Sequence, residues 1–146
     1  MIDLATSLQT ICDQFADTGH SVSYDGPDHI VIRAHAEELH RAITNLIDNA
    51  VRHGGKTDVR VSLTSPLVTV AIEDDGPGIP ERDKETMFEP FVRGDAARGM
   101  ADGNGFGLGL SIARAIIEAH SGTLTLLDRQ PRGLIAKVAL PYAVPT

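Results

Sequence analysis

The stretch AEELHRAITNLIDNAVRHGGKTDVRVSLTSPLVTVAIEDDGPGI, residues 36–79, decides the fold. In its first part, Ala36–His53, the apolar residues Leu39, Ala42, Ile43, Leu46, Ile47 and Ala50 recur at three- and four-residue steps. That spacing is one apolar stripe on a helix, and Gly54-Gly55 stops it. Val59, Val61 and Leu63 then alternate with polar residues, as in a strand covered on one face. After a break at Ser65-Pro66, Leu67–Glu73 reads as a more buried strand. It runs directly into the turn-rich sequence Asp74-Asp75-Gly76-Pro77-Gly78.

Working outward, residues 3–18 space Leu4, Leu8, Ile11, Cys12 and Phe15 as a helix, with Asp3 as its N-cap and Gly19 as its stop. Two short β runs follow, Ser21–Tyr24 and His29–Arg33, around the turn Asp25-Gly26-Pro27-Asp28. Residues 76–105 are rich in glycine, proline and charge and have little periodicity, which inside a compact domain marks a functional loop. Leu108–His120 is a second strong helix, and the strands Thr123–Leu127 and Leu134–Leu140 close the chain through Arg129–Gly133. Strands outside a regular βαβ alternation predict an α/β (α+β) two-layer sandwich. A mixed sheet carries about three helices on one face, in a single domain over residues 1–146.

Composition excludes several classes. With 42% apolar and 23% charged residues the chain is an ordinary globular domain, and its core must be aliphatic because tryptophan is absent. A formal charge of −7 argues against a nucleic-acid surface, which needs a basic face. A nucleotide is not excluded, since backbone N–H groups and a metal ion hold phosphates on acidic proteins. Cys12 is alone, so an internal disulfide is impossible, and its helical surroundings make it a small buried hydrophobe. No apolar stretch is long enough to cross a bilayer, and Met1-Ile2-Asp3 does not open a signal peptide. The domain is expected to be cytoplasmic and without direct membrane contact.

Three places carry chemistry. Asn45 and Asn49, four residues apart, project from one helix face at the edge of the apolar stripe, and Arg52 follows on that side. An amide oxygen suits Mg²⁺ and a guanidinium suits phosphate, although paired asparagines on a helix are also common as plain surface residues. At the end of the strand Leu67–Glu73, an acid among glycines can face a donor such as the exocyclic amine of adenine; the same residues also make an ordinary turn. Third, Gly103-Asn104-Gly105-Phe106-Gly107-Leu108-Gly109-Leu110 leads into a helix, where bare backbone N–H groups and the helix dipole can cradle phosphate. It lacks the Gly-Lys-Ser/Thr ending of a Walker loop, and by itself a glycine run is weak evidence.

Order and spacing make the three together more specific. An Asn pair, an Asp-x-Gly-x-Gly strand end about 25 residues on, and a glycine-rich helix start about 30 further resemble the catalytic domain of the bacterial sensor histidine kinases. These belong to the wider group of Bergerat-type ATPases that includes gyrase, MutL and the ATP-dependent heat-shock chaperones. Leu39–His53 resembles the N box of that family, Glu73–Ile79 its G1 box, Met87–Phe91 its F box and Gly103–Leu110 its G2 box. Pro90–Asp95 is similar to the osmosensor-like (EnvZ-like) kinases. The resemblance covers about residues 35–140 and implies ATP or ADP with Mg²⁺ as ligands, under a lid at residues 79–104. It implies that Asn49 binds Mg²⁺ with Asn45 beside it, and that Asp74 takes the adenine amine between Gly76, Gly78 and Ile79. By the same resemblance Gly103, Gly105, Phe106, Gly107, Leu108 and Gly109 close on the phosphates, and Phe88 and Phe91 anchor the lid. Arg93 and Arg98 are lid cations, as consistent with solvated loop charges as with phosphate ligands; His53 stands equally between ribose or phosphate contact and a helix-end residue. The lid is expected to be partly disordered without nucleotide.

In the ATPase branch of this group, a glutamate one turn before the Mg²⁺-binding asparagine activates water. Asn45 holds that place here, and a neutral amide accepts no proton near pH 7. The reading is therefore phosphoryl transfer to an acceptor on another domain, with an ATPase, a nucleotide-sensing module and a serine kinase as alternatives. The family's acceptor histidine is followed by an acid, whereas the six histidines here precede Ser21, Ile30, Ala36, Arg41, Gly54 and Ser121. The expected partners are thus a separate phosphoacceptor-histidine helical domain and, downstream, a response regulator, with the parent protein membrane-anchored and this domain itself monomeric. A zinc site at His35 and His40 fails on geometry, because five residues turn a helix by about 500° and aim the rings apart.

Overall fold

The computed structural model describes residues 1–64, 66–89 and 106–142, and of residues 106–108 the backbone alone. The elements are β1 (Ile2–Asp3), α1 (Leu4–Asp17), β2 (Ser21–Asp25), β3 (Val31–Ile32), α2 (Ala36–His53), β4 (Lys56–Thr64), β5 (Leu67–Asp74), α3 (Glu81–Lys84), a 3₁₀ turn (Thr86–Phe88), α4 (Phe106–Ala119), β6 (Thr123–Asp128) and β7 (Leu134–Pro141). Five strands form one mixed sheet in the order β2-β4-β5-β7-β6. β2 runs parallel to β4 and every other pairing is antiparallel.

Side-chain alternation makes this a two-layer molecule. β4 turns Thr57, Val59 and Val61 to the covered face, β5 turns Val68, Val70, Ile72 and Asp74, and β7 turns Leu134, Ala136, Val138 and Leu140. Onto that face pack Leu4, Leu8 and Ile11 of α1, the stripe Leu39–Ala50 of α2, and Leu110, Ala113 and Ile117 of α4. Each large aliphatic side chain so buried contributes roughly 1.5–3 kcal/mol. The opposite face carries charge, with Glu73 pairing with Arg60 (3.4 Å) and Arg129 (3.5 Å). A one-sided sheet under three long helices is the architecture that the periodicity predicts.

Asp3 caps α1 and does more than cap it. One carboxylate oxygen accepts from the Thr6 N–H (3.3 Å) and from the Ile30 N–H (3.0 Å); the other meets His29 Nδ1 at 2.7 Å. This holds β3 beside β1, where Ile2 pairs with Ile32. The strand expected over His29–Arg33 is therefore only Val31–Ile32 and lies outside the main sheet. Two further boundaries differ from expectation. Within the stretch expected to be aperiodic, Glu81–Lys84 is a helical turn and Met87 and Phe88 are buried; four residues are too few to show a period. α4 begins at Phe106, two residues before the apolar pattern does, because glycines contribute nothing to that pattern.

Candidate functional site

The C-terminal end of α2 and the end of β5 meet at the open side of the sandwich. Gly76 makes this possible: a Cβ there would overlap the His53 carbonyl oxygen, so the two backbones touch. Gly54 is equally confined, since its Cβ would lie 2.9 Å from the Cβ of Asp74. Gly133, in the β6–β7 turn, has φ +115°, and a Cβ on it would overlap the Asp74 carbonyl. Three glycines from three segments thus bring α2, β5 and the β6–β7 turn against Asp74. Arg132 Nε donates to the carbonyls of Asp75 (2.9 Å) and Gly76 (3.1 Å) and fixes the turn from outside.

The two adjacent acids have different tasks. Asp75 Oδ1 accepts from the N–H groups of Gly55 (2.8 Å) and Lys56 (3.0 Å), and these bonds, Lys56 first, lower its pKa. It staples the α2–β4 turn. Asp74 is only 2% exposed on the covered face, with Oδ1 accepting from the Gly76 N–H at 2.9 Å. Burial raises its pKa, and the Gly76 N–H partly offsets this. Burial also depresses the pKa of the nearby His53, against the attraction of the Asp74 charge. A buried carboxylate at a glycine-lined strand end is an acceptor held ready for a donor-bearing ligand.

Asn49, one turn before His53 on α2, is 6% exposed. Its Oδ1 is buried with no hydrogen-bond partner among the described residues. A neutral, desolvated oxygen without a donor fits a hard cation such as Mg²⁺. One turn earlier, Asn45 donates from Nδ2 to the Gly109 carbonyl at 3.4 Å, which ties α2 to the first turn of α4. The N–H groups of that first turn have no partner within the helix, and the helix dipole favours an anion there. Gly107 and Gly109 are helical residues within the first turn of α4.

Of the residues predicted from the sequence, the structure gathers Asn45, Asn49, His53, Asp74, Gly76, Gly78 (φ +79°), Ile79 and the start of α4 around one end of the sheet. Phe88 is buried, with Arg114 of α4 over its ring. Arg52 Nε bonds Asp48 Oδ2 at 2.9 Å along the helix, a local i,i+4 pairing. Phe91, Arg93, Arg98, Gly103 and Gly105 lie outside the described residues, as do lid positions 90–104. Sequence reasoning missed Gly54, Gly133 and Arg132. The two glycines act through backbone proximity and Arg132 through bonds to carbonyls distant in sequence, and neither leaves a pattern in a sequence.

Comparison with known proteins agrees with this geometry. Residues 34–144 match the family of histidine kinase-, DNA gyrase B- and HSP90-like ATPases. The sensor protein CiaH of Streptococcus pneumoniae is 39% identical over 111 residues, 74% of this chain and 25% of CiaH. The chain thus spans about a quarter of the length of the curated relatives it matches. Among solved structures, the mycobacterial sensor histidine kinase MprB superposes with a TM-score of 0.85 at 26% identity, covering 99% of each chain. The histidine kinase domain of the Escherichia coli osmosensor EnvZ gives 0.74 at 31% identity, covering 99% of this chain and 89% of that one.

Proposed function

Because the chain belongs to the histidine kinase-, DNA gyrase B- and HSP90-like ATPase family and is a histidine kinase catalytic domain, we propose that it holds Mg²⁺-ATP and hands the γ-phosphoryl group to a histidine on a separate helical domain. The observation that carries the reading is a pair of buried groups: the Asp74 carboxylate at the sheet end, and the Asn49 amide oxygen, which has no donor among the described residues. Asp74 accepts the adenine amine, between Gly76, Gly78 and Ile79. Asn49 offers its oxygen to Mg²⁺, which when bound neutralises charge on the phosphate oxygens. The first-turn N–H groups of α4, at Phe106, Gly107, Leu108 and Gly109, face the phosphates. Gly103, Gly105 and Arg93 complete the phosphate end, and His53 lines the base or ribose.

Asn45 favours transfer over hydrolysis. Activation of water needs a proton acceptor at this end of α2, and Asn45 instead donates its amide to Gly109. What this chain's residues supply is position and charge complementarity, the main requirement of phosphoryl transfer. The acceptor histidine, a downstream response regulator and a membrane-anchored parent protein with this domain on the cytoplasmic side belong to the same proposal. Among the described residues no helix is long and apolar enough to cross a membrane.

The test is to mix the domain with helical acceptor domains, Mg²⁺ and γ-labelled ATP. The label is expected on the partner in an acid-labile bond. Rapid release of phosphate without acceptor would make the domain an ATPase; an acid-stable bond would indicate a hydroxyl acceptor. Tight binding without any transfer would leave a nucleotide sensor.

A further inference from the structure

The sheet ends on two strands, β2 and β6. α1 packs against β2, which ends in the charged, proline-bearing turn Asp25-Gly26-Pro27-Asp28. β6, Thr-Leu-Thr-Leu-Leu-Asp, carries no such guard. It has no lysine, arginine or proline, and it pairs with β7 through all six residues without a bulge. Its one charge, Asp128, stands at the end and is bonded to Lys84 at 2.7 Å. Leu127, on the outer face of the sheet, is 43% exposed.

Two bonds at the strand ends fix which backbone groups of β6 face outward. The Tyr142 N–H donates to the Pro66 carbonyl (2.7 Å) in the register of the β5–β7 ladder. Even-numbered residues of β7 therefore turn their N–H and C=O groups to β5, and Ile135, Lys137 and Ala139 turn theirs to β6. The Arg129 N–H donates to the Gly133 carbonyl (3.0 Å) in the register of the β6–β7 ladder, which gives the same phase. Thr123, Thr125 and Leu127 thus bond β7, while Leu124 and Leu126 present their backbone groups to the open edge. Among the described residues nothing bonds those groups from outside.

We infer that this edge is a self-association surface, on which β6 pairs antiparallel with β6 of a second copy of the chain about a two-fold axis at Thr125. Residues that face each other across such a pair share a sheet face, so the axis falls on a residue and not between two. With the axis at Thr125, each Leu124 faces Leu126 of the other copy. The two pairs exchange four backbone bonds, all from groups that folding leaves at the edge. Thr125 faces itself in a close, non-hydrogen-bonded pair, and Thr123 of the other copy covers the exposed Leu127. Asp128 falls opposite Gly122, beyond the apolar pairs; an axis at Leu126 would set it against Leu124. Charge favours this occupant: two copies at −7 each repel, and they meet here along a stretch, Thr123–Leu127, that carries none. One strand pair buries less than a standard interface, so the dissociation constant should be on the order of 0.1–1 mM. At low concentration the domain is then the monomer expected from its sequence. The inference does not depend on the nucleotide reading.

The test is sedimentation equilibrium of the chain from about 10 µM to about 1 mM, where a monomer–dimer equilibrium is expected. Thr125→Lys sets two ammonium groups face to face on the axis without removing a bond to β7, and should weaken association roughly tenfold. At low concentration, where both are monomers, its melting temperature should stay close to the parent's. Register is read by cross-linking with oxidised glutathione. Thr125→Cys should join to itself, whereas Thr123→Cys, equally on the outer face, meets Leu127 and should cross-link far more slowly. The parent controls for Cys12, which is buried. A parent that stays monomeric to about 1 mM overturns the inference and leaves the edge to a strand of another protein. Association unchanged in Thr125→Lys, or equal cross-linking of the two cysteine variants, overturns it as well, because the copies would then meet elsewhere.

Discussion

The guanidinium carbon of Arg114, on α4, lies 4.6 Å from the centroid of the Phe88 ring, at the base of the lid. Arg114 also bonds Glu85 (2.7 Å) ahead of the ring and Glu118 (3.4 Å) one turn along its own helix. This side chain therefore clamps the Thr86–Phe88 turn onto α4. Lys84 makes a second clamp, bonded to Glu81 and Asp128 at 2.7 Å each. Arg114→Ala is expected to cost about 1 kcal/mol in urea unfolding, since a half-exposed cation–π contact and surface ion pairs are each worth roughly 0–1 kcal/mol. Phe88→Ala should cost more, about 3 kcal/mol, because it empties a buried site.

Gly133 and Gly109 should respond oppositely to alanine. At Gly133 the backbone is left-handed and a Cβ would strike the Asp74 carbonyl, so Gly133→Ala should lose at least about 1–3 kcal/mol and weaken ADP binding. At Gly109, inside α4, a Cβ meets nothing within 4 Å. Gly109→Ala should leave stability unchanged or raise it by about 0.5–1 kcal/mol. Thermal melts and ADP titrations on both variants check the contrast.

Removing the Asn49 oxygen's role should separate metal from base. Asn49→Ala deletes the amide oxygen that now sits buried. ATP binding measured without metal should stay close to the parent value, while the gain on adding Mg²⁺ falls about ten- to hundredfold and phosphotransfer stops. A variant that transfers phosphate at the parent rate would remove Asn49 from the site.

Asp74 should make nucleotide binding and stability oppose each other in pH. Burial raises its pKa above the ordinary 3.8, so the ionised form is disfavoured in the folded state. Its contribution to stability is full below 3.8 and is lost as pH rises through the raised folded value. Asp74→Asn should therefore be at least as stable as the parent at neutral pH. Binding runs the other way, because the ionised carboxylate is the better acceptor. ADP affinity should fall as pH drops from neutral, earlier than an exposed carboxylate would dictate. Calorimetric titration across that range, with melts of parent and Asp74→Asn, tests both signs.

Asp3 has the opposite sign. The Ile30 N–H, then His29 and the Thr6 N–H, hold its carboxyl well below the usual carboxylate range. Its stabilisation is present above the ordinary 3.8 and is lost as pH falls below it. Asp3→Ala should cost about 1 kcal/mol at neutral pH, the usual value of an N-cap. The difference from the parent should shrink in acid, as urea titrations at both pH values would show.

Much of this protein was legible in its residues because periodicity is a local property. The stripe on α2 and the alternation along β4 and β5 each state which face is buried, and a one-sided sheet under helices follows. The paired asparagines and the Asp-x-Gly-x-Gly strand end were visible for the same reason. What only the tertiary structure decided are relations between segments distant in sequence: Gly133 against Asp74, His53 against Gly76, Arg114 over Phe88 and Thr57 facing Asp74. It also divided the two acids, giving Asp75 to the backbone of the α2–β4 turn and leaving Asp74 buried on the covered face of the sheet. Contacts of this kind depend on backbone approach and strand register, and these are set when the whole sheet assembles and not by any stretch of sequence alone.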